Sequence, residues 1–507
     1  MKQIMFPQNS KHYRRWLTVL ILCVVSGCKV GPNYRAPKAD VPAQFAAASP
    51  TKDAPVIDAA QWWKSLNDPE LNSLIDRAIK ANPQLEIALT HVQQARQQQA
   101  VTLGEALPSA EASGGAANGT GSDNTRGRVA QTLRSGENTD KLAHVNQMYG
   151  FDAGWELDLF GKFRREAEAA RYSEQASEAA RNDVLISIIA DVVRSYSDMR
   201  GMQLQQSVLQ QNIETEKQYT SLVQQRYDRG ITNGLDLTLA QRQLSTLEAQ
   251  IAPLGAQIQA QQFIIAVLCG EFPENMATEL AKSGPLPQVP VKLQAGLPLD
   301  LLRNRPDIHE AERELAAANA HIGVATANLF PHFAITSGAG LQGQGLGISP
   351  IGQSFIWSLG PSVTIPILDF GTLDAEVNIA DLQTHAMLMN YKQKVLTAVQ
   401  DVDTAVSAYD SQQDRLHHLE QALDASKQAV YLATERYDRG LTDALNVVDA
   451  QRQEYDLQQQ YAIARQAAAD DFVAVYKALG SGWEKYQTLP PIKQSVPAII
   501  AELQHIL

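Results

Sequence analysis

Apolar residues alternate at intervals of four and three along Leu185, Ile189, Val192, Tyr196 and Met199. That spacing puts them on one stripe of an α-helix packed in coiled-coil fashion. The stripe returns 210 residues later as Val395, Val399, Val402, Val406 and Tyr409. Between Gly161 and Arg229 there is no proline and one interior glycine, Gly201; between Gly371 and Arg439 there is neither. Each interval predicts a helix of about 69 residues, roughly 100 Å at 1.5 Å per residue. Such lengths do not suit a compact globule and point to a coiled coil or a wall of rods.

Both helices close on nearly the same words, "QRYDRGITNGLDLTLAQRQL" from Gln225 and "ERYDRGLTDALNVVDAQRQE" from Glu435. Gly230 and Gly440 suit a left-handed C-terminal cap, with Arg229 and Arg439 near the negative end of the helix dipole. Asn233 and Asp443 suit the N-caps of returning helices. "RYDRG" therefore marks the tip of an antiparallel helical hairpin, twice. Upstream, Pro83 and Pro108 bracket one Gln/Ala-rich helical segment, and Pro306 and Pro331 bracket another. The first repeat is expected over 61–272 with its tip near 230, and the second over 301–480 with its tip near 440.

Within each repeat, a stretch of small or apolar residues alternating weakly with polar ones predicts a β-hairpin, over about 108–160 and about 331–370. Aromatics near the strand ends (Tyr149, Trp155, Phe333, Trp357) resemble those of transmembrane β-strands. Four strands cannot close a barrel, and a bilayer tolerates no open edge. Strands that span a membrane would thus have to come from several chains. Residues 273–300 are Pro-rich and read as a linker packed on the outside. "QWWKSLNDPELNSLIDRAIK" from Gln61 reads as a separate short helical segment. Residues 481–507 read as a tail, partly disordered.

Composition narrows the picture. The chain has 507 residues, 19% of them charged, a mean hydropathy of −0.23 and a formal charge of −12. It is no bundle of membrane helices, and it lacks the basic footprint of a nucleic-acid binder. Lys11, Arg14 and Arg15 precede an apolar run, Trp16 to Val25, that is too short to span a bilayer and fits a secretory signal over 1–27. It ends in "VVSGC", small residues ahead of Cys28, which resembles a bacterial lipobox in which the cysteine carries lipid. Residues 28–60 would follow as a lipid-anchored extension. Loss of 1–27, which holds four basic residues and no acid, leaves the chain four charges more negative. One lipid is a weak anchor, so further membrane contact is expected. Cys269 is then the remaining thiol, and neither a disulfide nor a cysteine metal site can be built.

Catalytic chemistry is not apparent. "GAGLQG" (Gly338, Gly340, Gly343) matches a dinucleotide fingerprint, but no helix opens after it and Pro350 and another strand follow. It reads instead as a surface loop of the hairpin. His417 and His418 are adjacent and cannot share a helix face, and neither an HExxH, a nucleophile elbow nor a P-loop occurs. No enzyme activity, cofactor or metal is expected.

The lipobox followed by "GPNY", the "NPQLEIAL" helix opening, the doubled long helix ending in "RYDRG", and "LNVVDAQR" together resemble the outer membrane factor (TolC) family, in its lipid-anchored, NodT-like branch. The resemblance spans about 450 residues, essentially the mature chain. It implies a mainly α fold with a transmembrane β-barrel part. Three chains would share a 12-stranded barrel, four strands each. Two long continuous helices and two stacked pairs of shorter ones per chain would build a trimeric α-barrel across the periplasm. It implies a passive exit duct in the outer membrane, joined to a periplasmic adaptor protein and an inner-membrane, proton-driven pump. Carried over by position, Leu445 and Asp449 form the periplasmic gate, one helical turn apart on one face. A ring of Leu445 would narrow the mouth. A ring of Asp449 would favour cations and make conductance depend on pH. Tyr437 and Asp236 become links between hairpins. Thr442 stands where some members carry a latch arginine. Gly230, Thr232, Gly440 and Thr442 become adaptor-contacting tips. Two other readings stay open: the outer component of type I protein secretion, and a periplasmic coiled-coil scaffold without a pore. The substrate is not written in the sequence.

Overall fold

The structure, a computed structural model, describes residues 29–38, 42, 44–46, 57–119, 144–293, 304–345, 351–442 and 444–486. Cys28, Asp443, the signal segment, the loop after residue 119 and residues 487–507 lie outside them.

Each repeat runs helix, two strands, long helix, return. The first consists of α1 (Pro69–Ala81), α2 (Pro83–Glu105), β1 (Ser109–Gly119), β2 (His144–Leu157), α3 (Lys162–Asp228), α4 (Gly234–Glu248) and α5 (Ile251–Leu268). The short α6 (Pro273–Glu279) follows. The second repeat consists of α7 (Pro306–Ala327), β3 (His332–Gly345), β4 (Ile351–Thr364), α8 (Thr372–Asp438) and α9 (Ala444–Ala478). The two long helices, α3 and α8, have 67 residues each. Local signals set their ends. Gly161 and Gly371 open them, both at φ +82°. At the tips, the Gly230 N–H donates to the Tyr227 carbonyl (2.8 Å) and the Ile231 N–H to the Arg226 carbonyl (2.9 Å). Gly440 and Leu441 repeat this with Tyr437 and Arg436, at 2.9 Å each. This is the Schellman arrangement, which requires the left-handed glycine.

The returns differ. The second is the single helix α9, whereas the first is broken between Glu248 and Ile251 into α4 and α5. Each return ends against the helix that opens its own repeat. Asn82 caps α2 with its Oδ1 on the Gln84 (2.8 Å) and Leu85 (3.2 Å) N–H groups, while its Nδ2 donates to the Leu268 carbonyl at the end of α5 (2.8 Å). In the second repeat the Arg305 guanidinium does the bridging, from ahead of α7 to the Ala478 carbonyl at the end of α9 (2.8 Å). Asp307 and Asp401 hold that arginine in place. Gly270 and Gly480 finish the two returns with φ near +70°. A Cβ on Gly480 would lie 2.5 Å from Arg305 Cγ, while one on Gly440 would meet nothing within 4 Å. We therefore expect Gly440→Ala to cost only backbone strain, about 1–2 kcal/mol. Gly480→Ala adds overpacking for a total of about 3 kcal/mol. Thermal melts of both variants check the difference; equal melting temperatures would refute the junction as described.

The main core lies midway along the rods. The Leu185–Met199 stripe of α3 packs there with Phe472 and Tyr476 of α9 and with Trp62 and Trp63. Trp62 stacks on Tyr476, centroids 5.2 Å apart. The segment read as separate, a 3₁₀ turn (Ala59–Leu66) plus α1, is thus central to the core, because its two tryptophans and Leu71, Leu74 and Ile75 are buried. The linker expected on the outside also contributes buried Met276, Leu280 and Leu286. The first residues of the tail are packed too. Gly482 lies against both tryptophans, the Trp483 indole N–H donates to the Asn304 carbonyl (2.9 Å), and Arg181 donates to the Tyr486 carbonyl (2.9 Å).

The strands form one antiparallel sheet in the order β1-β2-β3-β4. Directly paired residues share a face, and the register separates the side chains sharply. One face carries Tyr149, Phe151 and Trp155 of β2, Phe333, Ile335 and Leu341 of β3, and Phe355, Trp357, Leu359 and Val363 of β4. The other carries Glu111 and Ser113, Asp152 and Glu156, Thr336, Ser358 and Ser362, together with the aliphatic Ile356. The "GAGLQG" glycines are not in a loop, as expected, but inside β3. Gly340 pairs with Gly150 and Ile356, and a Cβ there would meet the Tyr149 carbonyl at 2.7 Å.

Candidate functional site

Two regions hold the residues singled out in the sequence. At the tips, Leu445 and Asp449 are both exposed on the same side of α9, while Val447 and Val448 between them are buried. Asp449 accepts from Gln453 Nε2 (3.2 Å) and lies 3.7 Å from the Arg452 guanidinium. Tyr437 and Asp236, the expected links, are engaged separately. The Arg226 guanidinium of α3 sits over the Tyr437 ring of α8, 4.5 Å from its centroid, joining the two tips by a cation–π contact. Asp236 accepts from the Thr232 hydroxyl of its own turn. It also helps close α4, its N–H donating to Asn233 Oδ1 (3.0 Å). Tyr219 lies within electrostatic reach of both Tyr437 and Asp236, and burial pushes its phenol well above the usual range.

The second tip mirrors the first with changed chemistry: Asn446, in place of Asp236, donates to Thr442. Around Gly230 and Gly440 the turns expose Ile231, Leu235 and Leu441 besides Leu445. Exposed aliphatics clustered on a turn are the mark of a contact surface. Arg226 is the tip residue that sequence reasoning passed over. It lies inside the repeated motif, but only the packing of α3 beside α8 shows which ring it covers.

At the opposite end, the residues just after Cys28 are strapped to the helices. The Val30 N–H donates to the Phe160 carbonyl (3.1 Å), where β2 passes into α3. Arg165, fully buried, donates to the carbonyls of Val30 (2.9 Å) and Gly31 (3.0 Å), to Asn33 Oδ1 (3.0 Å) and to Glu168 (2.8 Å). Lys29 also reaches Glu168, at 2.8 Å. Burial pushes the Glu168 carboxyl up, but the hydrogen bonds from Lys29 and Arg165 outweigh it and hold it below the usual carboxylate range. Gly31 passes against Gly323 of α7 so closely that a Cβ would fall 2.4 Å from the Gly323 Cα. Tyr34 donates to Glu312 (2.9 Å). Lys29, one residue beyond Cys28, is therefore fixed where sheet and helices meet.

Among the described residues no group of three or more His, Cys, Asp or Glu side chains could hold a metal ion. The geometry is that of long rods with a two-faced sheet at one end and capped turns at the other.

Comparison with known proteins agrees with that geometry. The outer membrane efflux protein profile matches residues 74–271 and 297–481. Nodulation protein T of Rhizobium leguminosarum bv. trifolii is 30% identical over 476 residues, covering 93% of this chain and 98% of the relative. The antibiotic efflux pump outer membrane protein ArpC of Pseudomonas putida is 29% identical, covering 91% and 94%. Among solved structures, the outer-membrane channel OprN superposes with a TM-score of 0.79 at 33% identity, covering 90% of this chain and all of that one. The chain belongs to the outer membrane efflux protein family.

Proposed function

We propose that the protein is the exit duct of a tripartite efflux system, working as a homotrimer. The observation that carries this reading is the sheet. Its strands of 11 to 14 residues meet or exceed the roughly 9–11 needed to cross a bilayer when tilted. One face is aromatic and aliphatic, the other polar and small, as lipid-facing and lumen-facing sides must be. Strands β1 and β4 each pair on one side only. Closing those edges with two further copies gives a 12-stranded barrel with no open backbone. A scaffold without a pore has no use for such a sheet, and the family favours efflux over type I secretion.

In this reading the two repeats, 61–272 and 301–480, line an α-barrel that reaches into the periplasm. The segments 273–293 and 481–486 gird its middle. Cys28 carries lipid, and the strap from Lys29 to Tyr34 holds that lipid at the level of the membrane. The tips at Gly230, Thr232, Gly440 and Thr442 receive a periplasmic adaptor. Leu445 and Asp449 ring the inlet, with Tyr437 and Asp236 tying neighbouring hairpins. Transport energy comes from a proton-driven inner-membrane pump, so the duct needs no cofactor and no catalytic group. Purification tests this directly. The protein should require detergent and run as a trimer that dissociates on heating; a monomer soluble without detergent would rule the duct out.

A further inference from the structure

Glu216 lies on α3 between the main core and the tip. It is fully buried, and among the described residues neither carboxylate oxygen has a hydrogen-bond partner. An apolar cluster lies beside it, Leu209 and Ile213 of α3, Leu247 of α4 and Tyr455 of α9, and the uncharged polar side chains of Asn212 and Thr220 stand one helical turn to either side. The titratable groups facing it are Tyr219 on its own helix and Tyr455 from α9, both phenols. The packed side chains of α4, Leu244 and Leu247, do not titrate. Among the described residues no cation acts on it. Lys217, the next residue, points outward to Glu248 at 3.3 Å. Burial is the single cause that pushes the Glu216 carboxyl up, from 4.5 to about 7. An isolated carboxylate in such a place is so costly that the group takes a proton instead.

We infer that Glu216 is a proton-sensitive lock on the seam between α3 and α9. Protonated, it lets the two helices close; ionised, it drives them apart and loosens the tip end. This inference rests on the duct reading for its consequence at the inlet, but the lock itself is a property of one chain.

The direction follows from linkage. The packed seam holds the proton more tightly than the parted seam, where the carboxyl returns to its ordinary value. Packing is therefore most favoured below pH 4.5. That advantage is lost as pH rises from 4.5 through about 7, and it is constant above. A second acid on the same seam acts in the same direction. Asp470 of α9 faces Asp198 of α3, whose Oδ1 already accepts from Gln466 Nε2 (2.6 Å). Burial first, and then Asp198, push the Asp470 carboxyl well above the usual carboxylate range against the pull of Arg194, with Asp471 adding to the rise.

The test is hydrogen–deuterium exchange of purified protein in detergent, at pH 5 and pH 8, following segments 209–223 and 447–459. Comparing wild type with Glu216→Gln at each pH cancels the intrinsic pH dependence of exchange. At pH 8 the wild-type seam should exchange about a hundredfold faster than the variant; at pH 5 the difference should shrink to about fivefold or less. Glu216→Leu should behave as Glu216→Gln does, and Asp470→Asn should leave the Glu216-dependent difference in place. Equal exchange of wild type and Glu216→Gln at pH 8, or the same difference at both pH values, would overturn the lock. Because exchange reads the seam and not transport, failure here leaves the duct to be judged by its own test.

Discussion

Arg200→Ala is expected to lower the stability of the chain by about 3 kcal/mol, the low end for breaking a buried charged pair. The guanidinium is 2% exposed at the middle of the rods. It pairs with Glu70 of α1, donates to Gln203 Oε1 (2.8 Å) and the Lys282 carbonyl (2.8 Å), and lies over the Tyr196 ring, 4.9 Å from its centroid. It thus ties α1, α3 and the segment after α6 together at one point. Alanine strips three acceptors of this donor and leaves a cavity, because the Gly284 backbone packs directly on the guanidinium. Glu70→Gln keeps an acceptor, but it leaves the Arg200 cation, 2% exposed, without its counter-charge, so it should also destabilise the chain, by about 2 kcal/mol. Thermal unfolding of the two variants, followed by circular dichroism, separates them. Equal and small losses would mean that Arg200 is a spectator.

How much of this was legible beforehand depended on how local the cause is. The ends of α3 and α8 were readable to within a residue, because a glycine cap and an adjacent turn are written in consecutive positions. The two-faced sheet was not. Within β1 the residues are mostly Ala, Gly and Ser, and alternation along any one strand is faint. Only the register, which sets Phe151 beside Ala339 and Trp357, sums the faces across strands. The junctions stayed hidden for a different reason. Asn82 and Arg305 are 223 residues apart, while their partners Leu268 and Ala478 are 210 apart. No single offset aligns both sides, and an amide and a guanidinium do not look alike. The burial of Trp62 and Trp63 is not legible in the sequence, because distance along the chain from the repeats says nothing about packing. Glu216 does carry a sequence signal: Leu209, Glu216 and Val223 are seven apart, so an acid sits at a core position of a heptad.

The gate assignment makes the second large prediction. Asp449 is exposed, one turn beyond Leu445 on the same side of α9, while Val447 and Val448 between them are buried. If three copies face one inlet, each Asp449 adds a negative charge within the narrowest aqueous section, and cations are favoured over anions. A unit charge about 4 Å from a passing ion in water contributes about 1 kcal/mol, roughly a fivefold preference. Asp449→Ala should therefore reduce cation selectivity about fivefold in planar bilayers, read as a reversal potential across a salt gradient. It should also raise single-channel conductance, since Arg452 and Gln453 lose the carboxylate that holds them at the rim. Leu445→Ala should act differently: it widens the mouth and raises conductance while leaving selectivity near the wild-type value. The pair of variants distinguishes a charged ring from a dry constriction. Unchanged selectivity in Asp449→Ala would place this carboxylate on the outer, solvated side of α9, and the inlet would then have to be sought among other exposed residues of the tips.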